Sequence, residues 1–233
     1  MAPSHLLLFD IDGTLLTTNG EAVRAMMAAY REVYGVEPPS DGLLMDGKTE
    51  LRIAHELLGM CGLTREQVDA GLPRFWDCYD AELVRQLSPA GTTVYPGVRE
   101  LLAALRPRAD TLLGLLTGNT ARSAWRKLAM AGLDGFPVGA YGEHHEEREA
   151  LPALAIEAAE AHCGRRFTGK AVVILGDTPS DVRCGQHLGV KTIAVATGLY
   201  SREALAAEHP DHLFDDFTDV PAVLRALYGD NTA

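Results

Sequence analysis

Residues 6–16 read LLLFDIDGTLL, and this stretch decides the fold. Leu6, Leu7, Leu8 and Phe9 form a continuous apolar run of the length of a buried strand. Asp10 and Asp12 follow two residues apart, so their carboxylates lie on one side of an extended chain. Gly13 then frees the backbone for a sharp turn. A buried strand that delivers paired carboxylates at its C-terminal end suits a cation and a nucleophile. The same letters also suit a strand closed by an Asx turn, so the rest of the chain has to decide.

Beyond Thr17 the pattern becomes helical and stays so for about 70 residues. Val23, Met26, Met27, Tyr30 and Val33 share a helical face. Thr18 and Glu21 stand at capping-box spacing before it, and Gly35 with Pro38 and Pro39 ends it. A second helix is predicted from Thr49 to Met60, with Leu51, Ala54, Leu57 and Leu58 on one side. A third runs from Thr64 to Leu87, with a break expected near Gly71 and Pro73. No strand pattern appears between Thr17 and Ser88. Residues 17–90 therefore read as an inserted helical domain, and residues 1–16 with 91–233 as the domain that carries it.

From Gly91 onward the chain alternates. Strands are predicted at Thr111–Leu116, Val138–Tyr141, Ala171–Leu175, Lys191–Ala196 and His212–Phe214. Helices are predicted from Pro96, then at Ala121–Ala131, Ala150–Ala161, Pro179–Leu188, Ser201–Ala207 and Val220–Leu227. Such alternation implies an α/β fold, a doubly wound parallel sheet with helices on both faces.

Composition narrows the function classes. The 233 residues are 47% hydrophobic and 23% charged, the balance of an ordinary globular chain. A formal net charge of −11 argues against nucleic-acid backbones or anionic membranes as the main partner. It leaves open a small anion held in a local pocket. No apolar run approaches a membrane span. The N-terminal MAPSHLLLFD lacks the charged start of a signal peptide. Cys61, Cys78, Cys163 and Cys184 show no C-x-x-C spacing and read as reduced thiols, so a cytoplasmic setting is expected. Monomer and homodimer both remain open.

In parallel α/β sheets, ligands bind at the C-terminal ends of the strands. Three predicted strands end in residues suited to phosphate. The first gives Asp10 and Asp12. The second gives Thr117, Gly118 and Asn119, where a hydroxyl and a helix N-terminus can hold an anion. The third gives GDTPSD, with Asp177 and Asp181. Each has a plainer reading: Thr117 and Asn119 can cap the next helix, and Thr178, Pro179 and Ser180 suit a helix start.

DIDGT, the helical insert, LLTGN and GDTPSD occur in an order that resembles the haloacid dehalogenase superfamily. The resemblance covers nearly the whole chain. It is closest to phosphatases with a helical cap of the C1 type after the first motif, the phosphoglycolate phosphatase-like branch. It implies a Rossmann-like core, a small phosphorylated metabolite as substrate, Mg²⁺ as cofactor and an aspartyl-phosphate mechanism. Asp10 would then be the nucleophile and Asp12 the acid and base. Asp10, Asp177, Asp181 and the Asp12 carbonyl would supply hard oxygen ligands to the metal. Thr117, Gly118 and Asn119 would bind phosphate oxygens.

The resemblance also implies a Lys after the third strand of that order, at the start of the next helix. Here the region reads YGEHHEEREALPALAIEAA. Arg148 is the only base suitably placed, and Arg is not equivalent to Lys. Arg148 is assigned to phosphate binding and catalysis, with Lys170 as the fallback. His144 and His145 read as a solvated loop.

Gly42 to Thr49, GLLMDGKT, matches a P-loop string. It follows GVEPPSD rather than a buried strand, and its middle residues are large and apolar. A nucleotide-binding protein is therefore the weaker alternative, and Lys48 and Thr49 are assigned to the cap surface facing the substrate. A dehalogenase of the same fold has no need of Asp12, Asp177 and Asp181. A β-phosphoglucomutase-like phosphoryl transferase uses the same residues and stays open on motifs.

Overall fold

The computed structural model describes residues 3–39, 45 and 47–229. The strands in chain order are β1 (His5–Phe9), β2 (Leu16–Thr17), β3 (Thr93–Val94), β4 (Thr111–Leu116), β5 (Val138–Ala140), β6 (Val172–Gly176), β7 (Lys191–Val195) and β8 (His212–Phe214). The α-helices are α1 (Glu21–Tyr34), α2 (Glu50–Met60), α3 (Arg65–Gln86), α4 (Val98–Leu105), α5 (Ala121–Ala131), α6 (Leu151–Cys163), α7 (Pro179–Leu188), α8 (Arg202–Ala207) and α9 (Val220–Tyr228).

Six strands form one parallel sheet in the order β5-β4-β1-β6-β7-β8. The apolar run of β1 explains its central place. Leu7 and Phe9 pack to one side with residues of α4, α5 and α9. Leu6 and Leu8 pack to the other with α6. Alternate side chains of one strand thus feed two cores, which is why the run shows no polar alternation. The sheet is covered on both faces, the doubly wound α/β arrangement of a Rossmann-like fold. The chain leaves β1 for β4 on one side and returns to β6 on the other, so β1 stands where the winding reverses.

Helices α1 to α3 share a separate apolar cluster centred on Tyr30, Phe75, Tyr79, Leu57 and Leu83. Tyr30 and Phe75 stack with ring centroids 4.6 Å apart. The expected break near Gly71 does not occur: α3 runs unbroken for 22 residues with Pro73 inside it. Gly71 has a packing role, because a Cβ there would overlap the Tyr34 ring. Burial of Val68, Phe75, Tyr79 and Leu83 along one face outweighs the hydrogen bond that Pro73 cannot make.

The Thr18–Glu21 capping box is also absent. Gly20 caps α1 in a left-handed conformation. The Glu21 carboxylate instead accepts hydrogen bonds from the Ser88 backbone N–H (2.9 Å) and hydroxyl (2.7 Å). Two short strands not expected from the sequence, β2 and β3, pair antiparallel beside this contact. Asn19 Nδ2 adds a bond to the Gly91 carbonyl (2.9 Å). The segment that leads into α1 and the segment that follows α3 are therefore tied to each other. No described helix is long and apolar enough to cross a membrane.

Candidate active site

The order β4-β1-β6 makes the three polar strand ends neighbours. Asp10 follows β1, Thr117 follows β4 and Asp177 follows β6, and all three line one cavity of about 350 Å³. Helices α1 to α3 supply Ala22, Val23, Met26, Ile53 and Tyr79 to its opposite wall. The turn after β1 is fixed by close approach. Gly13 has φ +85°, and a Cβ on it would overlap the Asp177 carboxylate. The Thr14 hydroxyl donates to Asp177 Oδ1 (2.9 Å), and the Thr197 hydroxyl donates to the Gly13 carbonyl (2.5 Å).

Asp10, Asp177 and Asp181 are buried, with one oxygen from each lying within 4.8 Å of the others. Burial raises the Asp10 carboxyl most, the neighbouring Asp181 and Asp12 raise it further, and Arg148 pulls it down; the net shift is to about 7. Burial likewise pushes Asp177 well above the carboxylate range, with Asp10 and Asp181 adding to it. Three buried carboxylates this close call for positive charge.

Arg148 supplies some of it. Its short 3-10 turn, Arg148–Ala150, places Nη2 3.1 Å from Asp10 Oδ1 and 2.6 Å from Asp181 Oδ1. Burial opposes its charge, but Asp10 and Asp181 more than offset that and hold the guanidinium well above its usual pKa. Among the described residues, Arg148 Nε is a buried N–H with no hydrogen-bond partner. Asp181 Oδ2 accepts from the Thr178 N–H (3.1 Å) and hydroxyl (2.7 Å), so Asp181 also closes the capping box of α7. The site reading and the helix-start reading of GDTPSD are both realised.

Asp12 stands in a second network. Its Oδ2 accepts from Lys127 Nζ (2.7 Å) and Asn119 Nδ2 (2.7 Å). Lys127 also donates to Asn119 Oδ1 (2.5 Å), and Asn119 Nδ2 reaches Thr117 Oγ1 (2.7 Å). The side chain of Asn119 is thus a spacer between the carboxylate and the turn after β4. Lys170, the fallback base, lies elsewhere: it bonds Asp211 (2.7 and 2.9 Å) and the Val190 carbonyl. His144 and His145 are exposed.

The N-terminus of α5 is not open to an anion in the way the sequence suggests. Glu50 Oε2 already accepts from the Thr120 N–H (2.7 Å), and Glu143 from the Ala121 N–H (2.8 and 3.1 Å). Thr120, rather than Thr117 or Asn119, caps the helix. Gly118 and Asn119 line the cavity ahead of these bonds.

Lys48 lines the cavity, but its Nζ is 2.5 Å from Glu56 Oε2. Thr49 is fully buried and caps α2, and its hydroxyl donates to the Glu146 carbonyl (2.7 Å). Its contact is therefore with a loop and not with the cavity. Half of the P-loop string, Gly42 to Leu44 and Asp46, lies outside the described residues. The part that is described opens a helix, and no strand leads into it among the described residues.

Lys127 and Glu50 were not singled out from the sequence, yet both line the cavity. A signal existed. Ala124, Lys127, Leu128 and Ala131 share the buried face of α5, and Glu50, Ile53, Ala54 and Leu57 that of α2. One charge on an otherwise apolar stripe must find a partner when buried.

A model of the haloacid dehalogenase-like hydrolases matches residues 5–189, well over half of the chain. This chain belongs to that family. It is therefore a hydrolase by family. It is 26% identical over 235 residues to a phosphoglycolate phosphatase of Pasteurella multocida, covering 97% of this chain and all of the relative. It is 25% identical over 230 residues to the pyrophosphatase PpaX of Bacillus mycoides, covering 97% and 99%. Among solved structures it superposes on a β-phosphoglucomutase of Clostridium difficile with a TM-score of 0.71 at 12% identity, covering 97% of each chain. That likeness shows a shared haloacid dehalogenase fold. The two relatives are nearly equally similar and act on different substrates by name, so overall likeness does not select a substrate.

Proposed function

We propose that this hydrolase is a Mg²⁺-dependent phosphomonoester hydrolase acting on a small phosphorylated metabolite, with Asp10 as nucleophile. The observation that carries the reading is the convergence of Asp10, Thr117 and Asp177 on one cavity beside the buried Arg148. Thr117, the Gly118 amide and the unpartnered Arg148 Nε–H supply donors to phosphate oxygens, and the Asn119 amide joins them if it exchanges its long bond to Thr117 Oγ1 (3.3 Å) for the ligand.

A phosphate ester and a carboxylate repel each other, so positioned positive charge is needed before attack. Asp10, Asp177 and Asp181 fit a hard divalent cation: all their donors are carboxylate oxygens, and burial pushes the Asp10 and Asp177 carboxyls above the usual carboxylate range. Mg²⁺ held there, with the Asp12 carbonyl as a further ligand, would polarise the phosphoryl group and offset charge. An Asp10 oxygen attacks phosphorus and the ester P–O bond breaks. Asp12 gives its proton to the leaving alkoxide oxygen. Asp12, now a carboxylate, takes a proton from water as that water attacks phosphorus. The bond from phosphorus to Asp10 breaks and inorganic phosphate is formed. Lys127 and Asn119 hold Asp12 Oδ2 for both transfers.

Residues 17–90 form the cap in this reading. The crossings at β2 and β3 act as hinges, and closure excludes water from the reacting phosphorus. The test is a screen of small phosphomonoesters and an aryl phosphate, with Mg²⁺ and with EDTA. Hydrolysis that needs Mg²⁺ supports the reading. Undiminished activity after exhaustive EDTA treatment overturns the metal assignment, and no hydrolysis of any ester overturns the phosphatase.

A further inference from the structure

We propose that Glu50, in the helical insert, is a positioning residue for phosphate recognition. It holds the Gly118–Thr120 turn in the shape that presents its amides to the phosphate. The inference rests on the phosphatase reading of the cavity and adds a role that the core motifs do not contain.

Glu50 is the first residue of α2 and is only 4% exposed. Its contacts cross from the insert to the core. The Glu50 backbone N–H donates to the Gly118 carbonyl (2.7 Å). Oε2 accepts from the Thr120 N–H (2.7 Å) and the Ser123 hydroxyl (2.8 Å), both at the start of α5. Oε1 accepts from the Tyr79 hydroxyl of α3 (3.0 Å), which braces the carboxylate from the insert side. Burial raises its pKa, while Lys127, the Thr120 N–H, Ser123 and Tyr79 oppose the rise.

This one residue grips the turn at both ends, at the Gly118 carbonyl and the Thr120 N–H. Between them stands Asn119, which carries the link to Asp12. The approach is tight enough to dictate a glycine: a Cβ on Gly118 would overlap the Lys48 carbonyl. Thr49 makes a matching contact to the Glu146 carbonyl, two residues before Arg148. The start of α2 therefore rests on both loops that carry phosphate donors. By accepting from Thr120, Glu50 also removes that amide from competition and leaves the Gly118 amide to face the ligand, beside the Asn119 amide that donates to Thr117 Oγ1 (3.3 Å).

On this reading a residue of the helical segment acts on phosphate recognition and not on ester choice alone. Changing Glu50 should weaken binding of inorganic phosphate itself, which has no organic part for an insert to select. The probe is inorganic phosphate, measured by calorimetric titration and by inhibition of aryl phosphate turnover. Glu50→Ala should raise the phosphate Kd about tenfold or more, the loss typical of leaving a buried donor unpaired. Glu50→Gln should stay within about threefold, because its Oε1 can still face Thr120 and Ser123 while its amide donates to the Tyr79 hydroxyl. Leu57→Ala, two turns along α2 and buried in the helical cluster away from the cavity, should change the phosphate Kd by less than about twofold.

A folded Glu50→Ala protein with unchanged phosphate affinity overturns the proposal. So does an equal loss in Leu57→Ala, which would mean a general disturbance of the insert. If Glu50→Ala does not fold, Ser123→Ala tests the same contact from the core side. It should raise the Kd about threefold, and no rise overturns the proposal. A protein that binds phosphate with this pattern and hydrolyses no ester would refute the phosphatase reading while sustaining the role of Glu50.

Discussion

Replacing Arg148 by Met keeps much of the side chain's bulk and removes its charge. The consequence can be worked from the contacts. Arg148 is 4% exposed and stands 3.1 Å from Asp10 and 2.6 Å from Asp181. Removing one partner of a buried ion pair leaves the other uncompensated, at a cost of about 3–5 kcal/mol. For a chain of this size that lowers Tm by roughly 6–20 °C. The assay is thermal unfolding in EDTA at pH 5 and pH 8, repeated with Mg²⁺.

The pH arm has a defined sign. The Asp10 carboxyl is raised to about 7 by burial first and by Asp181 and Asp12, against the pull of Arg148. Between the ordinary carboxylate pKa of about 4 and that value, the folded protein holds a proton that the unfolded chain has released. Stability from this group is thus present at the acid end of the window and falls as pH rises through it. Met at 148 removes the opposing pull, so the Tm gap to wild type should be wide at pH 8 and narrower at pH 5. Mg²⁺ should also narrow it, because a cation among the three carboxylates does part of the same work. A gap that is equal at both pH values and unmoved by Mg²⁺ would refute the reasoning and reduce Arg148 to packing.

Three other outcomes follow from the site. Asp10→Asn should fold normally, by circular dichroism, and lose aryl phosphate turnover; activity within about tenfold of wild type, with deamidation excluded, would remove Asp10 as nucleophile. Lys127→Met should lower kcat about tenfold to a hundredfold with a smaller change in KM, since the ammonium holds Asp12 and not the ester; unchanged kcat would separate Lys127 from the chemistry. Lys48→Ala should lower kcat/KM for an ester whose organic part is anionic by about tenfold and leave an aryl phosphate with an uncharged leaving group little changed. The loss stays at the low end of a charge-assisted contact because Glu56 already shares the ammonium, and an equal loss on both substrates would mean that Lys48 acts on the phosphate or the fold.

The residues that could be read in advance share a local cause. Asp10, Thr117 and Asp177 end apolar runs, and a run that stops at a polar residue marks a strand end in any window. The buried run also placed β1 at the centre of the sheet, because only a strand covered on both faces has no polar alternation. Arg148 was legible for a narrower reason: it is the only Lys or Arg between Tyr141 and Ala159. The misreadings share a cause as well. Gly71 and Pro73 look like a helix break locally, but the Tyr34 ring needs the glycine and the apolar face of α3 outweighs the proline. Thr18 and Glu21 have the spacing of a capping box, but Ser88, far along the chain, binds the Glu21 carboxylate instead.

Lys127 and Glu50 show where local reading ends and what can extend it. Each is a charge on a buried helical stripe, and each is paired by a residue that no sequence window containing it would include. Lys127 approaches the Gly118–Thr120 turn through the Asn119 side chain, from within α5. Glu50 approaches it through the Gly118 carbonyl and the Thr120 N–H, from α2. The turn that follows β4 is therefore held by Lys127 from α5 and by Glu50 from α2. A strand end alone positions one side chain, whereas a phosphate site needs several donors held at once. In this fold the added constraint comes from two buried charges. Lys127 and Glu50 each interrupt an apolar stripe, each pairs with a residue far along the chain, and the two lead to the same turn.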